Sequence, residues 1–361
     1  MNILVLNYEY PPIGGGGGIV SKYICEKAVK NGHNVDVITM AFGTLPDEEV
    51  IKGVNIHRIK CLRKSMRVCH PWEQLSYCQK AFKYIKKNID IENYDVIHSH
   101  FIIPTGLLAL KIKRKYKMDY ILTAHGSDVL GHNKSRFSLL YKLIKPGWMK
   151  IVKEAKAITA PSKYLFEKIE NIYSDKKIRL IPNGIDFVEY EVNKKEKSIV
   201  VLTRLQESKG VQDLLEAFSK IDNKGWIINV LGDGPYRQQL QEMVETKNLT
   251  DKVYFRGHTE GKEKMQYLSK AGLYFSGSRF EAFPISVLEA TACQNNTLVN
   301  NIQPHKDLVG DEHVYSGIDE LIHKLQIVVS DEPRKCVYNN EKYDWKNVYK
   351  LYEDLFHDVK E

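Results

Sequence analysis

Ser198-Ile199-Val200-Val201-Leu202-Thr203 is an unbroken, mostly apolar run that ends on Arg204 and is followed by Lys209-Gly210. An apolar run of this kind reads as a strand of a parallel sheet. Arg204 then projects from the strand's carboxyl end, and Lys209 opens the next helix. Comparable runs recur at 226–231, 253–255, 273–276, 297–300 and 313–315, with amphipathic stretches between them. The first half repeats the pattern, with strands expected at 3–7, 35–39, 54–59, 95–99, 120–124 and 157–160. Two βαβα series predict an α/β protein of two Rossmann-like domains with parallel sheets. In such sheets ligands bind outside the carboxyl ends of the strands, so both cations stand where a ligand is expected. The polar stretch Glu191-Val192-Asn193-Lys194-Lys195-Glu196-Lys197 is the expected linker, and Pro182-Asn183-Gly184-Ile185-Asp186 reads as a turn ahead of it.

Downstream lies Phe280-Glu281-Ala282-Phe283-Pro284-Ile285-Ser286-Val287-Leu288-Glu289. Pro284 suits a first helical position, where a missing N–H costs nothing because first-turn donors have no partner inside the helix. The amides of Ile285, Ser286 and Val287 then form a partial positive end suited to phosphate. Arg204 and Lys209 converging on a diphosphate would offset the charge that builds on it as it departs. Glu281, just outside the helix, is placed to hold sugar hydroxyls, and Glu289, inside it, to accept from ribose hydroxyls. Any one of these residues alone is an ordinary surface charge; together, in this order, they point to a nucleotide-sugar site.

At these residues the chain resembles the retaining family-4 glycosyltransferases of the GT-B fold. In that family a Glu-x7-Glu element, an upstream Arg and a Lys-Gly pair hold the donor, and here they read Glu281 to Glu289, Arg204 and Lys209-Gly210. The resemblance runs from Asn2 to about Leu355 and implies two Rossmann-like domains with parallel sheets facing a central cleft. Residues 1–190 would bind the acceptor and residues 191–342 the nucleotide sugar, while a final helix, 343–361, would return to pack on the first domain. Pro182-Asn183-Gly184-Ile185-Asp186 matches the family's interdomain crossing. Gly232-Asp233-Gly234-Pro235 matches a turn lining the donor site, and Arg256-Gly257-His258 falls where the nucleotide base is cradled. Phe283, Ile285 and Ser286 complete the implied donor set. His125-Gly126-Ser127-Asp128 matches a His-Gly-x-Asp element whose histidine lies beside the donor sugar and the acceptor; Asp128 is a candidate for acceptor contact or for capping the turn. Ala282, Pro284 and Gln294-Asn295-Asn296 depart from the commoner glycines and glycine-proline turn, which blurs sugar specificity but leaves the fold argument intact.

Gly14 to Gly18 lie between the first strand and a helix expected to start near Ile19. Residues without side chains let backbone amides approach an anion and tolerate positive φ, so Gly16 and Gly17 are candidates for a phosphate or acceptor loop. A dinucleotide fingerprint is the rival reading. Ile19 stands where its third glycine is needed, and Thr39-Met40 rather than an acid end the second strand, which disfavours an NAD-dependent oxidoreductase. His98 and His100 also end a strand; without a third ligand of suitable spacing they suggest a wall of an acceptor cleft rather than a metal site. No Asp-x-Asp pair occurs, so no metal is expected on the diphosphate, and no cofactor beyond the donor substrate.

The 361 residues, 43% apolar, suffice for two domain cores. Cys25, Cys61, Cys69, Cys78, Cys293 and Cys336 form neither zinc-type pairs nor a dense framework, which favours reduced thiols. Residues 1–190 hold 30 Lys+Arg against 18 Asp+Glu, and the remainder 23 against 27, so the net +8 hides a basic first half. That half could meet anionic headgroups or an anionic acceptor, or simply be solvated helix faces. No nucleic-acid motif accompanies it. With neither a basic leader and apolar stretch nor a span-length window, the expectation is a cytoplasmic protein, peripheral attachment to the inner face of the cell membrane being an option that the basic half leaves open.

The resemblance implies retaining transfer of a hexosyl unit from a nucleoside diphosphate sugar, UDP-linked, to a glycan or lipid-linked acceptor in cell-surface polysaccharide or glycoconjugate synthesis. A sugar-nucleotide epimerase of the same fold, or a non-catalytic subunit that binds nucleotide sugar, are the alternatives. A phosphorylase would need a lysine carrying pyridoxal phosphate, for which no motif stands out.

Overall fold

The central strands of the first half are buried along their length because helices cover them on both faces. The computed structural model describes residues 1–131, 138–174, 177–187, 190 and 192–360. Its first half contains β1 (Asn2–Leu6), α1 (Gly16–Lys30), β2 (Asn34–Met40), β3 (Glu48–Ile51), β4 (Val54–Ile59), α2 (Pro71–Asn88), β5 (Val96–His100), α3 (Thr105–Tyr116), β6 (Tyr120–Thr123), α4 (Ser138–Glu154), β7 (Ala157–Ala160), α5 (Lys163–Glu170) and β8 (Ile178–Leu180). The sheet order is β3-β4-β2-β1-β5-β6-β7-β8. Every pairing is parallel except β3 with β4. Every residue of β5, β6 and β7 is buried, as a sheet with helices on both sides requires.

The second half contains β9 (Glu196–Leu202), α6 (Val211–Phe218), β10 (Ile227–Leu231), α7 (Arg237–Thr246), β11 (Val253–Gly257), α8 (Gly261–Lys270), β12 (Ala271–Ser276), α9 (Ile285–Ala292), β13 (Asn296–Asn300), α10 (Gln303–Val309), β14 (Val314–Tyr315), α11 (Ile318–Ser330) and α12 (Trp345–Lys360). Its sheet is wholly parallel, in the order β11-β10-β9-β12-β13-β14. Alternate residues of β9 feed two cores. Ile199 and Val201 pack with Phe218, Trp226 and Leu325, while Val200 packs with Leu231, Tyr274 and Leu288. This is the two-residue period of a strand covered by helices on each face.

The chain forms two units, Met1–Asn183 with Trp345–Glu361, and Gly184–Asp344. The first division falls inside the Pro182–Asp186 turn, and Ile185 N–H donates to Tyr343 O at 2.9 Å where the chain leaves the second unit. α12 belongs to the first unit. Its buried stripe of Trp345, Val348, Tyr349, Tyr352, Phe356 and Val359 follows helical spacing, Trp345 stacks on Tyr23 at 5.4 Å, and Glu353 meets His33 at 2.7 Å.

The charged stretch 191–197 is not a free linker. Glu191 lies outside the described residues, Glu196 and Lys197 begin β9, and Lys195 is buried. Its ammonium donates to Ser269 O at 3.0 Å, Cys293 O at 2.7 Å and Asn295 Oδ1 at 2.5 Å, which satisfies all three protons and permits burial.

Strand order reverses once in each sheet, between β1 and β5 and between β9 and β12. Loops leaving two adjacent strands in opposite directions open a crevice there, the usual ligand position in doubly wound sheets.

Candidate functional site

In the second unit the crevice is bounded by residues 203–210 after β9 and residues 277–284 after β12. Two glycines bring these loops together. A Cβ on Gly210, whose φ is +67°, would stand 2.2 Å from Gly277 O, and one on Gly277 would stand 2.5 Å from Gly210 O. The approach lets Lys209 Nζ reach Glu281 Oε1 at 2.6 Å, both side chains being about four-fifths covered. Arg204 leaves the same loop exposed, and among the described residues its guanidinium has neither ion pair nor hydrogen bond. Lys209 ends a short turn of 3-10 helix, with Gly210 between it and α6, so it precedes the helix rather than opening it.

The Gly232-Asp233-Gly234 turn supports that loop from the other side. A Cβ at Gly232, with φ +138°, would lie 1.8 Å from Thr203 O, and one at Gly234 2.2 Å from Leu205 O. Leu205 N–H donates to Asp233 O at 3.0 Å and Tyr236 N–H to Leu205 O at 3.1 Å. The two glycines therefore fix the backbone on either side of Arg204.

Pro284 occupies the N-cap of α9 rather than its first helical position, with φ −84° and ψ 78°. Ile285 N–H already donates to Phe283 O at 3.0 Å and Val287 N–H to Pro284 O at 3.0 Å. Of the three expected anion donors only Ser286 N–H lacks a main-chain partner among the described residues, because the proline entry tightens the first turn and consumes the others. Phe283 meets the edge of Tyr343 at 5.7 Å. Glu289 is buried, and its Oε1 accepts from Lys264 Nζ at 2.7 Å and Tyr190 Oη at 2.9 Å. His258 is exposed and bonds Glu260, while Arg256 beside it lies over the rings of Tyr254 at 4.7 Å and Tyr267 at 5.5 Å.

His305 carried no motif signal, yet it lies close enough to Glu281 and Lys209 to feel both charges. It is fully buried, with Nδ1 2.8 Å from Asn300 O and Nε2 3.4 Å from Ser276 Oγ. Burial lowers its pKa, with Lys209 adding to the effect and the Asn300 carbonyl and Glu281 opposing it. Lys264 and Tyr190, the partners of Glu289, were equally silent in the sequence.

In the first unit the crevice between β1 and β5 gathers His125, Phe101 and the glycine run. α1 begins at Gly16, so three of the five glycines are helical rather than loop. Close packing requires them: a Cβ on Gly17 would lie 2.5 Å from Phe101 Cζ and 3.1 Å from His125 Cγ, and one on Gly18 1.8 Å from Glu9 O, while Gly16 faces open space. His125 packs against Phe101 at 4.4 Å with the ring planes tilted by 44°, and its Nε2 is 3.1 Å from His100 Nδ1. Asp128 is buried and clamps two strand ends, accepting from Ile102 N–H at 2.7 Å and His125 N–H at 2.9 Å. Burial pushes its carboxyl up to about 6 against the pull of those amides.

His98 and His100 are completely buried and do not wall a cleft. Their rings lie 4.3 Å apart, and His98 packs against Tyr352 and Phe356 of α12, which covers that end of β5. Burial pulls His98 and His125 down to about 3, and pulls His100 well below the ordinary histidine value. All three rings are thus neutral at physiological pH. Among the described residues no group of three His, Cys, Asp or Glu is arranged to hold a metal, and no helix is long and apolar enough to cross a membrane.

Two doubly wound α/β units of parallel strands, with polar groups collected where the strand order reverses, are the architecture of the GT-B fold. Residues 14–189 match Glycosyltransferase Family 4 and residues 184–344 match Glycosyl transferases group 1, and the chain belongs to this family. It is 28% identical to the uncharacterized glycosyltransferase MJ1607 of Methanocaldococcus jannaschii, over 97% of this chain and 96% of that protein. It is 25% identical to the N-acetyl-alpha-D-glucosaminyl L-malate synthase of Bacillus anthracis, over 97% and 95% respectively. The solved structure of Anabaena HepE in complex with UDP and glucose superposes with a TM-score of 0.79 at 15% identity, covering 99% of this chain and all of that one.

Proposed function

We propose that this glycosyltransferase moves a hexosyl unit from a UDP-sugar to a hydroxyl of a glycan or lipid-linked acceptor in cell-surface glycan synthesis, with retention of configuration and without a metal ion. The observation that carries the reading is the Lys209–Glu281 pair, 2.6 Å apart at the β9/β12 switch point, with the exposed Arg204 on the same loop. A cation and a carboxylate held side by side suit a ligand that is anionic at one end and rich in hydroxyls at the other. Lys209, Arg204 and the Ser286 amide stabilise the departing diphosphate, and Glu281 orients the sugar hydroxyls. Fixed cations of this kind do the work a divalent metal does elsewhere. Gly232, Gly234, His258, Phe283, Ile285 and Glu289 line the donor side in this reading. In the first unit His125, neutral and clamped through Asp128, orients the transferred sugar or the acceptor, and the Gly16 and Gly17 backbone lies beside it. No side chain is assigned as covalent nucleophile; a donor phosphate oxygen takes the acceptor proton on the face the diphosphate leaves. UDP is favoured by the ligand of the HepE structure, and a hydroxyl acceptor by the name of the malate synthase.

The test is transfer from UDP-glucose and UDP-N-acetylglucosamine, compared with GDP-sugars, with the product anomer read by proton NMR. Lys209→Ala is expected to lower kcat by about 10²-fold or more, with the unfolding transition nearly unchanged. Unchanged turnover in that variant, or an inverted product, overturns the mechanism.

A further inference from the structure

Residues 60–88 carry eight Lys and Arg against one acid, Glu73. Glu73 is buried and spent on the backbone, accepting from His70 N–H at 2.7 Å and Lys64 N–H at 2.8 Å. The exposed surface of this segment therefore presents Lys64, Arg67, Lys80, Lys83, Lys86 and Lys87 with no carboxylate of its own. Apolar side chains are exposed among them: Leu62, Met66, Val68, Trp72 and Leu75 are each between 37% and 62% accessible.

The local bonding gathers these side chains at one end of α2. Leu62 N–H donates to Ser76 Oγ at 3.2 Å, and Glu73 ties both Lys64 and His70 to the first turn, so residues 62–70 fold back over the start of the helix. The His70 ring stacks on Trp72 at 4.5 Å with the planes 3° apart, which leaves the indole standing outward. The inner face of α2 is filled by Glu73, Tyr77, Cys78, Ala81 and Ile85. Its outer face therefore runs from Trp72 and Leu75 towards Lys83, Lys86 and Lys87, apolar at one end and basic along the rest.

We infer that this surface docks on an anionic lipid bilayer, with Trp72, Leu75, Leu62, Met66 and Val68 entering the headgroup boundary while the lysines and Arg67 neutralise lipid phosphates. An exposed indole beside aliphatic side chains, flanked by bare positive charge, is the chemistry of an interfacial segment. A soluble acidic partner would use the cations but gains nothing from dispersed aliphatic tips on a loop and a helix start. The surface also touches the first-unit crevice. Gly14 N–H donates to Met66 O at 2.8 Å, and Arg63 donates to Met66 O at 3.0 Å and to Tyr8 O at 3.1 Å. Delivery of a lipid-borne acceptor to that turn rests on the function proposed above; the docking itself does not.

The experiment is co-sedimentation of the full chain, without donor or acceptor, with phosphatidylcholine vesicles and with vesicles containing about one-third phosphatidylglycerol. Tryptophan fluorescence is followed in parallel, since Trp148, Trp226 and Trp345 are buried and the signal change therefore reports Trp72. Expected are binding to the anionic vesicles alone, a blue shift, and quenching by brominated lipid. Joint replacement of Lys83, Lys86 and Lys87 by Ala should weaken binding on the order of 100-fold. Trp72→Ala with Leu75→Ser should abolish sedimentation while thermal unfolding and transfer to a soluble acceptor persist. Failure to bind anionic vesicles, equal binding to neutral ones, or capture by an acidic polypeptide without lipid quenching overturns the inference. None of these results touches the donor assay, and loss of transfer in that assay does not touch this one.

Discussion

Asp128 is the residue on which the His125 position hangs, and its removal has a calculable cost. Asp128→Ala leaves the amides of Ile102 and His125 buried without their acceptors, which stand 2.7 and 2.9 Å away in the native chain. A buried donor left unsatisfied costs about 1–3 kcal/mol. Relief of the buried carboxylate offsets part of the sum, so a net loss of about 3 kcal/mol is expected, or about 6–12 °C in Tm for a unit of this size. The pH dependence supplies an independent check. Burial raises the folded carboxyl to about 6 from an ordinary 3.8, so the folded chain holds this proton more tightly than the unfolded one. The stability it contributes is full below the unfolded value and is lost as pH rises through the folded one. The Tm gap between wild type and Asp128→Ala should therefore be wider near pH 4 than above about pH 7, and scanning calorimetry at several pH values measures it. A Tm loss under about 2 °C, or a gap that widens as pH rises, would refute the clamp, because either means the amides find other partners or the carboxyl is not held in a dry site.

Two further substitutions separate packing from chemistry. Gly17→Ala places a methyl 2.5 Å from Phe101 Cζ and 3.1 Å from His125 Cγ, in a helix that otherwise welcomes alanine. A modest loss of Tm from overpacking is expected, together with a fall in kcat/KM of about tenfold or more, as the two rings shift; unchanged kinetics would dissociate His125 from the reaction. Lys195→Met strands the three oxygens around the buried ammonium, and a loss of about 2–4 kcal/mol is expected in chemical denaturation. Burial draws the native lysine down to about 8 from 10.5, so the unfolded chain binds the proton more tightly and wild-type stability should rise between those pH values. The same rise persisting in Lys195→Met would assign it to another group.

What the sequence discloses and what it withholds divide along physical lines. Strands covered on both faces leave continuous apolar runs, so twelve of the fourteen are legible, from β1 to β14. β3 and β8 are not. Glu48-Glu49-Val50-Ile51 is a largely exposed antiparallel edge whose charges guard it against further pairing, and Ile178-Arg179-Leu180 is too short to show a period. The glycine run reads as a loop because glycine is a poor helix former, yet a helix begins inside it at Gly16, and its glycines at 17 and 18 leave room for Phe101 and the Glu9 backbone. Lys195 reads as linker for the same reason in reverse: a charged run signals solvent, and only the fold reveals three oxygens converging on one member of it. At the donor-side crevice, Arg204, Lys209 and Glu281 are legible because their charges announce a chemical task. Their geometry is not, since it depends on an ammonium and a carboxylate 72 residues apart being brought together where Gly210 meets Gly277. A side chain at either glycine would wedge those backbones apart and carry the ammonium away from its carboxylate. Gly277 has no chemistry to advertise, so a search for functional groups passes over a residue whose contribution is the space it leaves empty.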